Sequence, residues 1–234
     1  TIEGLPPEAY QKMICAIWSL PNLSSHFREN IIKREGITWC SAGKDLQDKL
    51  KEEYEIDSSL VIAGVDPNEF SPNRDITKIQ RVGLNGLPFI NPGWDEIKRP
   101  NWLNQIARGI GGESIFIHGK SLSESHTMYD DIDMYICTSL NDRGPYGIAE
   151  AAFSKIPVLS TKTGFANIFK SIRTFNTTEE AIQIIKTLNE NPKMLNNYIE
   201  EVYRELTKEL SWSNVVSKYW KPIFENKITL NNSK

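Results

Sequence analysis

The chain has 234 residues, a formal net charge of −3 at pH 7 and a hydrophobic share of 39%, enough for one large core or for one domain plus part of a second. The slight acidity excludes a global field suited to nucleic acid or to an anionic membrane surface. No apolar run approaches the roughly 20 residues that span a bilayer and no signal peptide opens the chain, so the expected compartment is the cytoplasm.

Thr1-Ile2-Glu3-Gly4 lacks an initiator Met and reads as a processed or truncated start. Helices are expected around Tyr10 to Leu20 and His26 to Arg34, followed by a strand over Ile37 to Ser41. A helix over Lys44 to Tyr54 follows, with Leu46 and Leu50 at helical spacing, then a strand over Ser59 to Ala63 that stops at Gly64. The two leading helices are too little for a further sheet. Residues 65–75 hold two prolines and several turn formers without periodicity, and read as a linker.

Beyond the linker, strands are expected over Ile79 to Leu84, Ser114 to His118, Asp133 to Thr138 and Ile156 to Ser160. Amphipathic helices lie between them, as in Trp102, Leu103, Ile106, Ala107 and Ile110. Short apolar strands alternating with helices predict an α/β fold, a Rossmann-like parallel sheet flanked by helices. Ligands of such sheets sit at the carboxyl ends of the strands. Gly109-Ile110-Gly111-Gly112 precedes a strand instead of following one, so it reads as a helix stop and not as a dinucleotide loop.

The tail is helical. Thr177-Thr178-Glu179-Glu180 is a capping box, and Asn191-Pro192 caps a helix with the stripe Leu195, Tyr198, Ile199, Val202 and Leu206. A last helix carries Trp212, Val215, Val216, Tyr219, Trp220 and Ile223 on one face, and residues 226–234 form a frayed tail. Cys15, Cys40 and Cys137 read as small buried hydrophobes in a reducing compartment, not as a disulfide frame or zinc site.

The chemistry concentrates in residues 133–164. A buried strand runs into Ser139-Leu140-Asn141-Asp142-Arg143-Gly144-Pro145-Tyr146-Gly147, which opens a helix containing Glu150, and the next strand ends in Lys162-Thr163-Gly164. Two Gly-containing bends at helix starts offer backbone N–H groups to an anion such as a diphosphate. Asp142 and Glu150 are eight positions apart and are placed to share one crevice, where a carboxylate accepts hydrogen bonds from a vicinal diol. The same pattern also suits a solvated turn Asp and a Glu favoured by the helix dipole.

The segment resembles the signature of retaining glycosyltransferases of the GT-B fold, of the group 1 or family 4 type. The matching residues are Asp142, Gly144, Pro145, Gly147, Glu150, Ala151, Pro157, Val158 and Gly164. Val61 to Asp66 through Phe70-Ser71-Pro72 resembles the inter-lobe linker, Arg81 to Gly86 the first donor-lobe strand and its glycine turn, and Trp212 the aromatic that opens the final helix. The resemblance covers residues 37–224. It implies a donor lobe at residues 76–210, a crossing helix at 211–225, and at 1–64 only a remnant of the N-terminal acceptor lobe.

The same resemblance implies roles. Glu150 binds the ribose hydroxyls of a nucleotide-diphosphate sugar, and Asp142 contacts the transferred sugar. Gly144, Pro145, Tyr146 and Gly147 form the loop that holds that sugar, and Lys98, with Arg99 as second choice, neutralises the diphosphate. Gly83, Asn85, Thr163 and Gly164 belong to the donor-binding set, and His118, at a strand end, either lines the crevice with them or has a structural role. The implied activity is hexosyl-type transfer with retention to an unspecified acceptor, such as a glycan or lipid-linked glycan. The missing N-terminal lobe is supplied in cis or in trans, and the isolated chain transfers poorly. No cofactor beyond the donor substrate and no metal is implied.

The chain departs from the pattern at three points. Asp142 is one methylene shorter than the usual Glu, Arg143 replaces a small Gly, and Leu84 stands where an Arg is expected. Asp142 and Leu84 favour the alternative, a non-catalytic nucleotide-sugar-binding or interaction module. Asp131-Ile132-Asp133 has the spacing of a metal-binding pair, but Asp133 begins a buried strand, and His26, His118 and His126 lack metal spacing.

Overall fold

A computed structural model describes residues 14–17, 36–70, 75–89, 92–119, 124, 127–142, 144 and 146–225. The chain divides into two compact units, one made of Thr1–Gly64 with Trp212–Lys234 and the other of Val65–Ser211.

The first unit is built on β1 (Ile14–Ile17), β2 (Thr38–Ser41), α1 (Lys44–Tyr54) and β3 (Ser58–Leu60). The strands pair in parallel in the order β1-β2-β3, with Cys40 opposite Ala16 on one side and Ser59 on the other. Residues 14–17 are therefore a strand and not part of a helix, and this region does form a sheet. A four-residue apolar run has no periodicity to separate the two states, so pairing decides. The expected helix from His26 to Arg34 lies outside the described residues. Leu46 and Leu50 of α1 are fully buried against Ile17, Trp39 and Ile56.

The final helix, α7 (Trp212–Val215), continues through a π-turn over Val216–Trp220 to residue 225. Ile223 packs with Cys40 and Val61, and the Trp220 indole N–H donates to the Ile62 carbonyl at 3.0 Å. The expected single stripe is broken: Val215 and Ile223 are buried, while Trp212 and Val216 are 50% and 47% exposed. A π-turn takes up an extra residue, so side chains spaced for a regular α-helix leave the common face.

The second unit contains β4 (Arg81–Asn85), α2 (Pro92–Lys98), α3 (Pro100–Gly109), β5 (Glu113–Ile117), β6 (Met134–Cys137), α4 (Tyr146–Phe153), β7 (Val158–Thr161), β8 (Arg173–Phe175), α5 (Thr178–Glu190) and α6 (Pro192–Leu210). All five strands are parallel, in the order β5-β4-β6-β7-β8. Each residue of β6 and β7 is buried, as continuous apolar runs in a covered parallel sheet require. The chain lays β5 on one side of β4 and then crosses to place β6 on the other, so the topology reverses between β4 and β6. Such a reversal opens a crevice at the carboxyl ends of the two strands.

Specific contacts set the register. Asp133, just before β6, accepts hydrogen bonds from the backbone N–H of Gln80 (3.0 Å) and Arg81 (2.7 Å) and from the Arg81 guanidinium (3.1 Å). Burial alone raises its pKa, but these donors outweigh it and hold the carboxyl below the usual aspartate value. α3 ends at Gly109, Gly111 takes a φ of +69°, and a Cβ on Gly112 would lie 2.0 Å from the Gln80 carbonyl oxygen, so the glycines stop the helix and let the chain turn under β4. Thr177 caps α5 by accepting from Glu180 N–H at 3.2 Å, and Asn191 caps α6 by accepting from Met194 N–H at 3.0 Å. Leu195, Tyr198, Ile199, Val202 and Leu206 are the buried face of α6. The chain is thus α/β and Rossmann-like, with parallel sheets flanked by helices.

Candidate functional site

The crevice begins at the end of β4. Asn85 is its last residue, and Gly86 turns the chain with φ +125°, where a Cβ would lie 2.2 Å from the Trp94 ring. Gly83 sits two residues earlier, inside the strand and covered by Ile132, so its lack of a side chain serves sheet packing. His118 is exposed just beyond β5.

The end of α2 is tied to the segment after β6. Leu140 N–H donates to the Ile97 carbonyl at 2.7 Å, and the Thr138 hydroxyl donates to the Lys98 carbonyl. Arg99 has a left-handed backbone (φ +50°), stacks 3.8 Å from the Trp102 ring centroid, and donates to the carbonyls of Thr138 (2.7 Å) and Ser139 (3.1 Å). Its guanidinium is engaged by backbone, and it acts here as a brace for the loop.

That brace brings Lys98 and Asp142 together. The Lys98 ammonium pairs with the Asp142 carboxylate, which also accepts from the Ser139 hydroxyl at 3.2 Å. Asp142 N–H donates to the Thr163 hydroxyl at 2.8 Å, and that hydroxyl donates to the Asp142 carbonyl at 3.0 Å. The bends after β6 and β7 are therefore joined through Thr163. Gly164 follows with φ +49° and opens a short 3-10 turn, Gly164–Asn167. Gly144 lies against the Phe165 ring, and Tyr146 meets the same ring edge-on at 5.6 Å. Pro145 and Arg143 lie outside the described residues.

Glu150 sits on α4, half-buried, and accepts a hydrogen bond from the Tyr129 hydroxyl. That hydroxyl in turn accepts from the Asn85 side-chain amide at 3.0 Å. Burial pushes the Glu150 carboxyl above the usual glutamate range, the Tyr129 and Asn85 hydrogen bonds pull it back, and the Glu69 charge adds to the upward shift. Gly147 permits this closeness, since a Cβ there would lie 2.4 Å from the Tyr135 hydroxyl and 2.8 Å from the Asn85 amide nitrogen. The Tyr135 ring lies edge-on to Tyr129 at 6.0 Å. Burial raises the Tyr135 pKa, and nearby acidic groups raise it further.

The arrangement supplies two carboxylates as hydrogen-bond acceptors and one ammonium at the carboxyl ends of β4 and β6. Sequence reading did not single out Tyr129, Tyr135 or Ser139. Tyr129 stands in the acidic run Tyr129-Asp130-Asp131, and its partners are 44 and 21 positions away, so no local pattern marks it. Among the described residues no cluster of His, Cys, Asp and Glu is placed to hold a metal ion, and no helix is long and apolar enough to cross a membrane.

No protein-family model and no curated protein sequence matches the chain. Solved structures do. Sucrose-phosphate synthase from Thermosynechococcus elongatus superposes with a TM-score of 0.72 and 10% identity, over 94% of this chain and 68% of that one. A glycosyltransferase from Rickettsia africae gives 0.69 and 15%, over 91% and 70%. Anabaena HepE, crystallised with UDP and glucose, gives 0.62 and 13%, over 87% and 69%. The chain has the fold of GT-B glycosyltransferases and spans part of their length.

Proposed function

We propose that the chain is the donor-binding part of a GT-B glycosyltransferase of the retaining, group 1 type, which takes its sugar from a nucleotide diphosphate. The observation that carries the reading is that Glu150, joined through Tyr129 to Asn85 at the end of β4, and the Lys98–Asp142 pair, joined to Thr163 after β7, stand beyond the carboxyl ends of strands beside the topological switch point. In this reading Glu150 accepts the ribose hydroxyls and Asp142 contacts the sugar, with Asn85, Thr163, Gly164 and the loop from Gly144 to Gly147, Pro145 included, around the donor. Lys98 turns to the diphosphate. As the anomeric C–O bond breaks, its electron pair passes to the diphosphate oxygen, and the ammonium offsets the growing charge. The acceptor hydroxyl adds from the face the diphosphate leaves, its proton passing to a diphosphate oxygen, and configuration is retained. A fuller N-terminal lobe, in cis or in trans, provides the acceptor side, so transfer by the isolated chain is weak.

Calorimetric titration with UDP tests the donor site. Glu150→Ala is expected to weaken binding about tenfold or more, while Glu179→Ala, on the exposed start of α5, leaves it unchanged. Equal affinities for the two variants overturn the reading. The second reading, a non-catalytic nucleotide-sugar-binding module, draws on the neutralised Lys98 and on Leu84, fully buried in β4 and unable to contribute a cation. Donor hydrolysis by the chain, or transfer once the N-terminal lobe is added, distinguishes the enzyme from the module.

A further inference from the structure

The proposed reaction assigns no role to the buried Tyr129 hydroxyl. Tyr129 is only 1% exposed, and its ring meets Tyr135 edge-on at 6.0 Å. The Asn85 amide occupies a lone pair of its oxygen at 3.0 Å, which directs its own hydrogen at the Glu150 carboxylate. Burial, and then the nearby Glu150 charge, keep the phenol protonated far above its ordinary range, so it is a permanent donor at any working pH. Glu150 needs such a donor. A long flexible carboxylate, partly removed from water, is held in one orientation and in its charged form only by groups that are themselves fixed. Both tyrosines are buried in the core, and their rings pack edge-on against each other.

We infer that Tyr129 is the positioning residue of this site, its hydroxyl orienting the Glu150 carboxylate toward the vicinal hydroxyls of a nucleoside. The inference rests on the reading that Glu150 binds ribose, and it adds the group that makes Glu150 competent. Removal of the hydroxyl leaves the ring packing intact, weakens the ligand contact, and withdraws a donor that favours the charged carboxylate. Nucleotide affinity then fails at a higher pH on acidification than it does in the wild type.

The test is UDP affinity by calorimetry from pH 5 to pH 8, on the full chain and its variants. Tyr129→Phe is expected to weaken binding about tenfold at neutral pH and to move the acid-side loss of binding upward. Tyr198→Phe is the structural control. It removes another buried hydroxyl, bonded to the Val158 carbonyl, and is expected to lower the melting temperature with affinity and pH profile unchanged. A ring-fluorinated tyrosine at position 129 preserves the fold and strengthens the donor, and it should shift the profile downward. If Glu150→Gln weakens UDP binding while both changes at position 129 leave affinity and profile at wild-type values, the positioning role is wrong and the donor-site reading stands. If Glu150→Gln binds UDP as tightly as the wild type, the donor-site reading fails and the inference goes with it.

Discussion

Lys98 and Asp142 form an ion pair with each other. The ammonium that the proposed chemistry aims at a diphosphate is held by a carboxylate that is 14% exposed, so an incoming phosphate must compete with a fixed anion. Asp142→Asn removes that competitor and keeps the shape of the side chain. UDP affinity is expected to rise about fivefold, in line with the worth of a partly screened ion pair, and to fall more steeply with added salt. Sugar transfer should drop in the same variant. Weaker UDP binding by Asp142→Asn would show that the carboxylate supports the nucleotide directly.

At the scale of elements, the turn between α3 and β5 puts two adjacent glycines under different demands. Gly112 has the Gln80 carbonyl where its Cβ would be, at 2.0 Å, and backbone yields less readily than a side-chain tip. Gly111 faces open space but takes φ +69°. Gly111→Ala is expected to cost about 1 kcal/mol, the strain of a left-handed alanine. Gly112→Ala should cost about 3 kcal/mol, the overpacking range, and thermal melting ranks the two. A smaller loss at Gly112 would mean that β4 shifts freely against this turn. This helix stop was legible from the sequence because its glycines precede an apolar run. β1 and β8 were not. Ile14-Cys15-Ala16-Ile17 fits either period, and Arg173-Thr174-Phe175 is too short and too polar to stand out until β7 lies beside it. The π-turn in α7 was equally hidden, since a regular stripe is readable only where the helix itself is regular.

For the molecule as a whole, Asp133 is the long-range tie of the larger sheet, joining the start of β6 to the start of β4 across more than 50 positions of chain. Its pKa is depressed in the folded state, so the stability it contributes is complete above the unfolded aspartate value of about 3.9 and disappears as pH falls through the lower folded value. Asp133→Asn is expected to lose about 2 kcal/mol at pH 7, with the gap to wild type narrowing at a pH below the ordinary aspartate value. Chemical denaturation at the two pH values measures it, and a gap of constant size refutes the charge-based account. The spacing that suggested a metal pair at Asp131 and Asp133 serves this tie on its second member.

The α/β alternation, and the placing of one acid in a loop and the other on the following helix, were readable because they depend on short-range pattern. The Asn85, Tyr129 and Glu150 chain was not, since it exists only once three separate segments meet.

The larger unit also begins and ends at one place. Val65 bridges Ser211 in parallel, and Val65 N–H donates to the Leu210 carbonyl at 2.9 Å. Its two chain ends share a doorway, so a short linker between them would restrain few additional residues. A segment arranged in this way is suited to grafting into a host loop, or to re-opening at a different bend once its original ends have been sealed.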